Sequence, residues 1–149
     1  MSYKFTLSYE LSANSLIHFR VKGGLHDSYE TTVAVSLLEI ESFFKKLSNT
    51  TMDSKSNVLS QKDFFTRFFF RLKKIIFICE VAKFTHPSLE ESLTIYLAKE
   101  KSGKSLFYIE TKWFAREKIF FVDYSSTKRA FEDLMKRILN NSATPHPNL

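Results

Sequence analysis

Cysteine is almost missing from this chain: Cys79 is the only one in 149 residues. No intrachain disulfide can form, so a disulfide-stapled secreted scaffold is excluded and a reducing compartment is expected. Glycine and proline are scarce, at three each, and neither a low-complexity tract nor an internal repeat interrupts the pattern. Long hydrophobic runs are absent as well. The longest, residues 75–79, falls far short of the roughly 20 residues a spanning helix needs. The first ten residues alternate polar and apolar with no continuous apolar stretch, so no signal peptide is expected. These absences predict a cytoplasmic protein with no membrane partner.

Reactive motifs are equally thin. The string Ser102-Gly103-Lys104-Ser105 resembles the end of a phosphate loop, but Ala98 stands where the first glycine is needed to let backbone amides wrap a phosphate. The string reads better as a hairpin turn. His18, His26, His86 and His146 are scattered, and a zinc site needs a cluster of nitrogen and sulfur ligands. The acidic neighbours Glu90-Glu91 and Glu132-Asp133 diverge on either a helix or a strand, so neither is a natural acid/base pair. Asp27 beside His26 has no further partner in the pattern. No G-x-S-x-G or H-E-x-x-H pattern occurs. Cys79 lies among Ile and Phe, which predicts an inert core thiol. The expectation is a protein without catalytic residues, metal or cofactor.

What is present is phenylalanine, 16 of them, within a hydrophobic fraction of 44%. That is enough apolar material for a folded chain. A length of 149 residues suits one domain that buries about 68–70% of its unfolded surface. The net charge of +6 allows an acidic partner and also serves solubility.

Periodicity supplies the elements. Residues 3–11 alternate, as do residues 16–22, and residues 29–35 read as a third strand. From Ser36 the period changes: Leu37, Ile40, Phe43, Phe44 and Leu47 recur at three and four, with Ser36 and Glu39 as a capping box. This helix is expected to end near Ser48, followed by a polar loop over residues 49–57. Residues 88–100 carry mixed signals, with a strand preferred from about Leu93. A hairpin through Ser102-Gly103 leads to a strand over residues 105–114, and residues 117–124 form another. Residues 125–127 cap a last helix whose buried stripe is Ala130, Phe131, Leu134, Ile138 and Leu139. Residues 1–141 form the domain, and 142–149 read as a flexible tail.

The stretch 63–84, DFFTRFFFRLKKIIFICEVAKF, admits two readings. As strands, Phe64, Phe68, Phe70 and Leu72 share one face, and a parity switch at Lys73-Lys74 suggests a hairpin onto Ile75, Phe77, Cys79 and Val81. As a helix capped at Ser60, residues Phe65, Phe68, Phe69, Leu72, Ile75, Ile76 and Cys79 make one stripe. Phe and Ile favour strands, so the strand reading is preferred. The fold class predicted is α+β: a mostly antiparallel sheet of about six to eight strands, with one mid-chain helix and one C-terminal helix on one face.

Two basic-aromatic clusters are the candidate partner-binding residues. On a strand, Arg67, Phe69, Arg71 and Lys73 would share a face suited to single-stranded nucleic acid, which is held by stacking and by cations along its backbone. The second cluster holds Lys112, Trp113, Phe114, Arg116 and Lys118. Trp113, Arg67, Arg71, Lys112 and Arg116 are the residues expected to meet a partner protein, because a lone Trp among charges is a common interface anchor.

In element order the chain resembles small bacterial immunity proteins that neutralise a cognate toxin. The matching pieces are Val35-Ser36-Leu37-Leu38-Glu39 with Phe43-Phe44 and Leu47, then Phe120-Phe121-Val122-Asp123 with Ala130-Phe131 and Leu134. The likeness runs from about Leu16 to Asn140 and lies in pattern, so it transfers no site residues. It implies a non-catalytic protein-binding module that blocks a partner, such as a toxin domain. The nucleic-acid-binding sheet face is the alternative.

Overall fold

A computed structural model of the chain describes residues 4–8, 16–23, 27–50, 57–85, 91–113 and 116–143. Strands β1 (Lys4–Ser8), β2 (Leu16–Gly23) and β3 (Asp27–Ala34) come first, then helix α1 (Leu37–Asn49). A 3-10 turn (Leu59–Gln61) and helix α2 (Phe64–Leu72) follow. Strands β4 (Ile75–Thr85), β5 (Glu91–Glu100), β6 (Ser105–Trp113) and β7 (Arg116–Asp123) lead into helix α3 (Tyr124–Ala143). The strands lie side by side in chain order, and every neighbouring pair is antiparallel. The α+β antiparallel class expected from sequence is the one observed. Two details differ. The continuously paired sheet, β4 to β7, has four strands rather than six to eight, because β3 meets β4 only at Ala34–Thr85. The described α-helices number three, not two.

Local chemistry explains the ends of these elements. Ser36 Oγ accepts the Glu39 N–H, and the Glu39 carboxylate accepts the Ser36 N–H, so the capping box satisfies donors at the start of α1. At α3 the cap is Asp123, two residues before the expected Ser125. Its carboxylate accepts the Ser126 N–H at 2.8 Å, and that bond holds the Asp123 carboxyl below its usual value. The helix runs on to Ala143, past the start assigned to the tail, and residues 144–149 lie outside the described residues. Between β5 and β6, Gly103 takes a φ of +93°, which an L side chain adopts only with strain. There the Gly103 N–H donates to the Glu100 carbonyl at 2.9 Å, closing the Ser102-Gly103 hairpin.

The sheet is covered on both faces. On one, Ile40 and Phe43 of α1 and Phe131 and Leu134 of α3 pack over Ile95, Leu97, Phe107, Ile109 and Val122. The Phe43 and Phe131 rings lie 4.7 Å apart. On the other face Phe70 of α2 meets Ile78, Tyr96, Tyr108 and Phe121. Two-sided cover explains why the middle of β5 is buried at six successive positions, where a one-sided strand would alternate. Not every stripe residue is interior: Leu139, placed in the buried stripe of α3, is exposed. Cys79 is half-buried rather than a core thiol.

The central stretch is where the expectation fails. Residues 64–72 form a helix, not a strand, and only residues 75–85 form a strand. The hairpin pairing of Leu72 with Ile75 therefore does not exist. Asp63, not Ser60, is the cap: its carboxylate accepts the Thr66 N–H at 2.7 Å. The helix stops at Leu72 because Lys74 has a φ of 58°, which breaks the helical path. Lys73 and Lys74 donate their N–H groups back to the Phe69 and Arg71 carbonyls. β4 then shifts register between Ile75 and Phe77 and between Glu80 and Ala82, which scrambles the simple parity seen in sequence.

Replacing Phe70 by Ala is expected to cost about 3–5 kcal/mol of unfolding free energy. Phe65→Ser, in the same helix, is expected to change it by less than about 0.5 kcal/mol. Equilibrium urea denaturation measures both; equal losses would mean that Phe65 is covered in solution.

Candidate interaction surface

Helix α2 points its most apolar side away from the protein. Phe70 alone is fully buried, whereas Phe64 is 68% exposed, Phe65 81%, Phe68 51%, Phe69 40% and Leu72 66%. At about 100° per residue, Phe65, Phe68, Phe69 and Leu72 fall on one stripe at i, i+3, i+4 and i+7. Phe70 lies on nearly the opposite side. Fully burying such a side chain stabilises a protein by about 1.5–3 kcal/mol, so this helix forgoes a substantial stabilisation several times over. Scattered exposed apolar residues are ordinary; a contiguous apolar stripe marks a contact site.

Three attachments hold the helix in this pose. At its start Lys62 sits over the sheet, its Nζ donating to the Tyr96 hydroxyl at 3.1 Å and to Glu110 Oε2 at 3.1 Å. The ammonium also lies 4.3 Å from the Tyr96 ring centre, and the Tyr108 hydroxyl donates to the same Glu110 oxygen at 3.1 Å. In the middle, the Phe70 ring meets Tyr108 at 5.0 Å and Phe121 at 5.7 Å, both edge to face. At the end, the Lys74 carbonyl accepts the Lys101 N–H at 2.9 Å. The segment before the helix is tied down too. Asn57 donates to the Ile76 carbonyl and accepts the Ile78 N–H, and the Val58 N–H donates to the Ile78 carbonyl.

The Lys62 cluster contains ionisable groups but offers no acid/base poise. Burial pulls the Lys62 value down, yet the bonds to Tyr96 and Glu110 outweigh it and hold the ammonium above its ordinary value. Burial pushes the Tyr96 phenol up, against the opposing effect of Lys62. Near neutrality the lysine is charged and the phenol protonated, so neither is a base or nucleophile. Among the described residues no group of three His, Cys, Asp or Glu is placed to hold a metal, and no helix is long and apolar enough to cross a membrane.

The candidate residues read from sequence divide into two places. Arg67 and Arg71 are exposed on α2, one turn apart; at about 100° per residue Arg71 stands beside the stripe, whereas Arg67 lies as far round from it as Phe70 does. Phe69 and Lys73 belong to the other flank, where the Lys73 ammonium lies 5.4 Å from the Phe69 ring centre and 5.0 Å from that of Phe121. The single basic-aromatic strand face of Arg67, Phe69, Arg71 and Lys73 is therefore not formed, and the sheet platform for nucleic acid falls with it. Lys112 is exposed on β6, opposite Ser92 and Glu117. Trp113 and Arg116 pair across the β6–β7 end, with side chains outside the described residues. The outward Phe65, Phe68 and Leu72 were not singled out as a surface. Their helical spacing after Asp63 was the available signal.

Comparison with family models, with curated proteins and with solved structures finds no match to this chain.

The Lys62 cluster has a pH signature. Lys62 and Tyr96 both hold their protons more tightly folded than unfolded. Their contribution is fully present below the ordinary values of 10.5 and 10.0 and is lost as pH rises through the higher folded values. The urea midpoint of the natural protein is expected to fall more steeply between about pH 9 and about pH 11.5 than that of Lys62→Met/Tyr96→Phe. Parallel slopes would show that the cluster contributes nothing. Glu110→Gln is expected to cost about 1.5–3 kcal/mol at neutral pH.

Proposed function

We propose that this chain is a non-catalytic protein-binding module and that the outward stripe of α2 is where its partner sits. The observation that carries the reading is the inverted helix: one phenylalanine faces in, and a ready-made row of apolar anchors faces out. A helix held at its start, middle and end keeps its shape before binding, which lowers the ordering cost of association. The cluster beneath it is an ion pair with its hydrogen bonds made, and it gives the surface no reagent.

Within this class the finer proposal is an immunity-type inhibitor that covers a toxin domain of its partner. The element order on which that resemblance rests includes the capped α1 and the β7-to-α3 step. A module that works by covering a site needs a rigid protruding anchor and no chemistry of its own.

Site-specific photocrosslinking in the native source tests the reading. A benzophenone side chain at position 65 is expected to join one partner protein, and the same group at Glu41, exposed on α1, is expected not to. Absence of any protein product at position 65 would sink the proposal. If the partner is a toxin, its co-expression with the natural chain is expected to restore growth, and co-expression with Phe65→Asp/Phe68→Asp is not.

A further inference from the structure

Strand β4 is an edge that its neighbours leave open in the middle. At one end β3 meets it only at Ala34–Thr85. At the other, Asn57 and Val58 stand in for a strand. The Asn57 amide donates to the Ile76 carbonyl and accepts the Ile78 N–H, and the Val58 N–H donates to the Ile78 carbonyl. Ile78 therefore turns both backbone groups outward. Antiparallel pairing alternates, so Cys79 turns inward to Leu97 and Glu80 turns outward. The bulge at Val81 adds one residue. Lys83 is then the next to face out, followed by Thr85, where β3 attaches. Between the Asn57 stopper and the Ala34 bridge, the outward backbone belongs to Glu80 and Lys83. Among the described residues no strand pairs with either on that side. The Cys79 thiol lies 3.6 Å from the Glu80 carbonyl, which keeps a second lone pair for a donor.

The side chains follow the same pattern. Val81, Ala82 and Phe84 are buried in the core that α1 and α3 cover. Glu80 and Lys83 thus share the opposite face of the sheet, and both are exposed. An acid and a base stand symmetrically about the step from Val81 to Ala82. Along residues 80–84 runs a groove of about 290 Å³, bordered on α1 by Leu38 and Ser42.

An open edge accepts an extended chain by its backbone, and the side chains choose which one. A lipid surface offers no ladder of donors and acceptors. Here the edge complements itself. A two-fold axis at the step from Val81 to Ala82 runs a second β4 antiparallel to the first. It sets Glu80 opposite Lys83 of the second copy, and Lys83 opposite Glu80 of the second copy. Each such pair exchanges both backbone N–H···O bonds and brings opposite charges together across the strands. The extra residue of one bulge faces that of the other, so register holds across the axis. Charges on an edge strand ordinarily discourage pairing; charges that meet their opposites do not.

We infer that two copies of this chain join along β4, edge to edge and antiparallel, with Glu80 of each opposite Lys83 of the other. The groove beside α1, with exposed Leu38 on its rim, gives the joint apolar surface to cover. The inference is independent of the α2 reading and uses no residue of its stripe.

Sedimentation equilibrium of the full chain over a concentration series tests it. The natural chain is expected to dimerise. Glu80→Lys and Lys83→Glu each oppose like charges at both symmetry-related pairs, and each is expected to weaken the dimer about tenfold. Glu80→Lys/Lys83→Glu restores opposite charges in exchanged order and is expected to return it to within about threefold of the natural value. Urea midpoints that match in the dilute, monomeric range confirm that these exposed replacements leave the fold alone. A natural chain that stays monomeric overturns the inference and makes Glu80 and Lys83 guards of the edge. A dimer that ignores both reversals, or that the exchange does not rescue, overturns it as well. Loss of such a dimer in Phe65→Ser/Phe68→Ser would assign the contact to α2 instead. Failure of the β4 joint leaves the α2 reading standing, because the crosslink at position 65 tests that by itself.

Discussion

Everything distinctive about this protein follows from one packing contact, the Phe70 ring held edge-on by Tyr108 and Phe121. A helix of nine residues is too short to be stable alone in water. It exists because the sheet offers an aromatic floor into which one side chain fits. Once Phe70 is committed inward, the geometry of the helix decides the rest. Residues five before and two after it must swing outward, and here those are Phe65 and Leu72. The apolar surface is therefore a consequence of how the helix is anchored, not a failure of the core to close.

The polar attachment at the start of the helix plays a different part. A half-buried ammonium is expensive to desolvate, and the Tyr96 hydroxyl and Glu110 carboxylate offset that cost with direct bonds. Such a pair adds little net stability compared with apolar packing. What it adds is direction, because Lys62 can meet Tyr96 and Glu110 together in only one placement of the chain. Phe70 alone would let α2 rotate about its own contact point. With Lys62 before it and the Lys74 carbonyl tied to Lys101 after it, the helix has a defined azimuth.

Much of the fold was legible because local and global signals agreed. Ser36 and Glu39 announced α1, Ser102-Gly103 announced a hairpin, and the Phe131–Leu134 spacing announced α3. The sequence of 64–72 was misread because the usual inference runs from apolar to buried. Phenylalanine is a strand-favouring residue, and a run of it suggests sheet until its burial is known. The helical reading failed for another reason: carried through to Cys79, it ignored the stop at Lys73-Lys74. The true arrangement is a short helix followed at once by a strand. The surface was half legible. Arg67 and Arg71 were named as contact residues, but a strand put them beside Phe69 and Lys73, and a helix parts them.

That separation also decides what kind of recognition the surface can support. Interleaved cations and rings on one flat strand face would suit a strand of nucleic acid, which tolerates sequence variation because every base stacks. A helix sorts the same residues into a seam and a rim. The seam has no hydrogen-bonding group of its own, so it can reward only burial, and burial discriminates poorly between partners. Specificity must then come from the polar groups around the seam. Arg71 stands exposed on one side of it, and Lys73, exposed while lying against the Phe69 and Phe121 rings, stands on the other. A partner that covered the seam would have to leave both cations in water or meet them with carboxylates, because a buried cation without a partner costs more than the apolar contact returns.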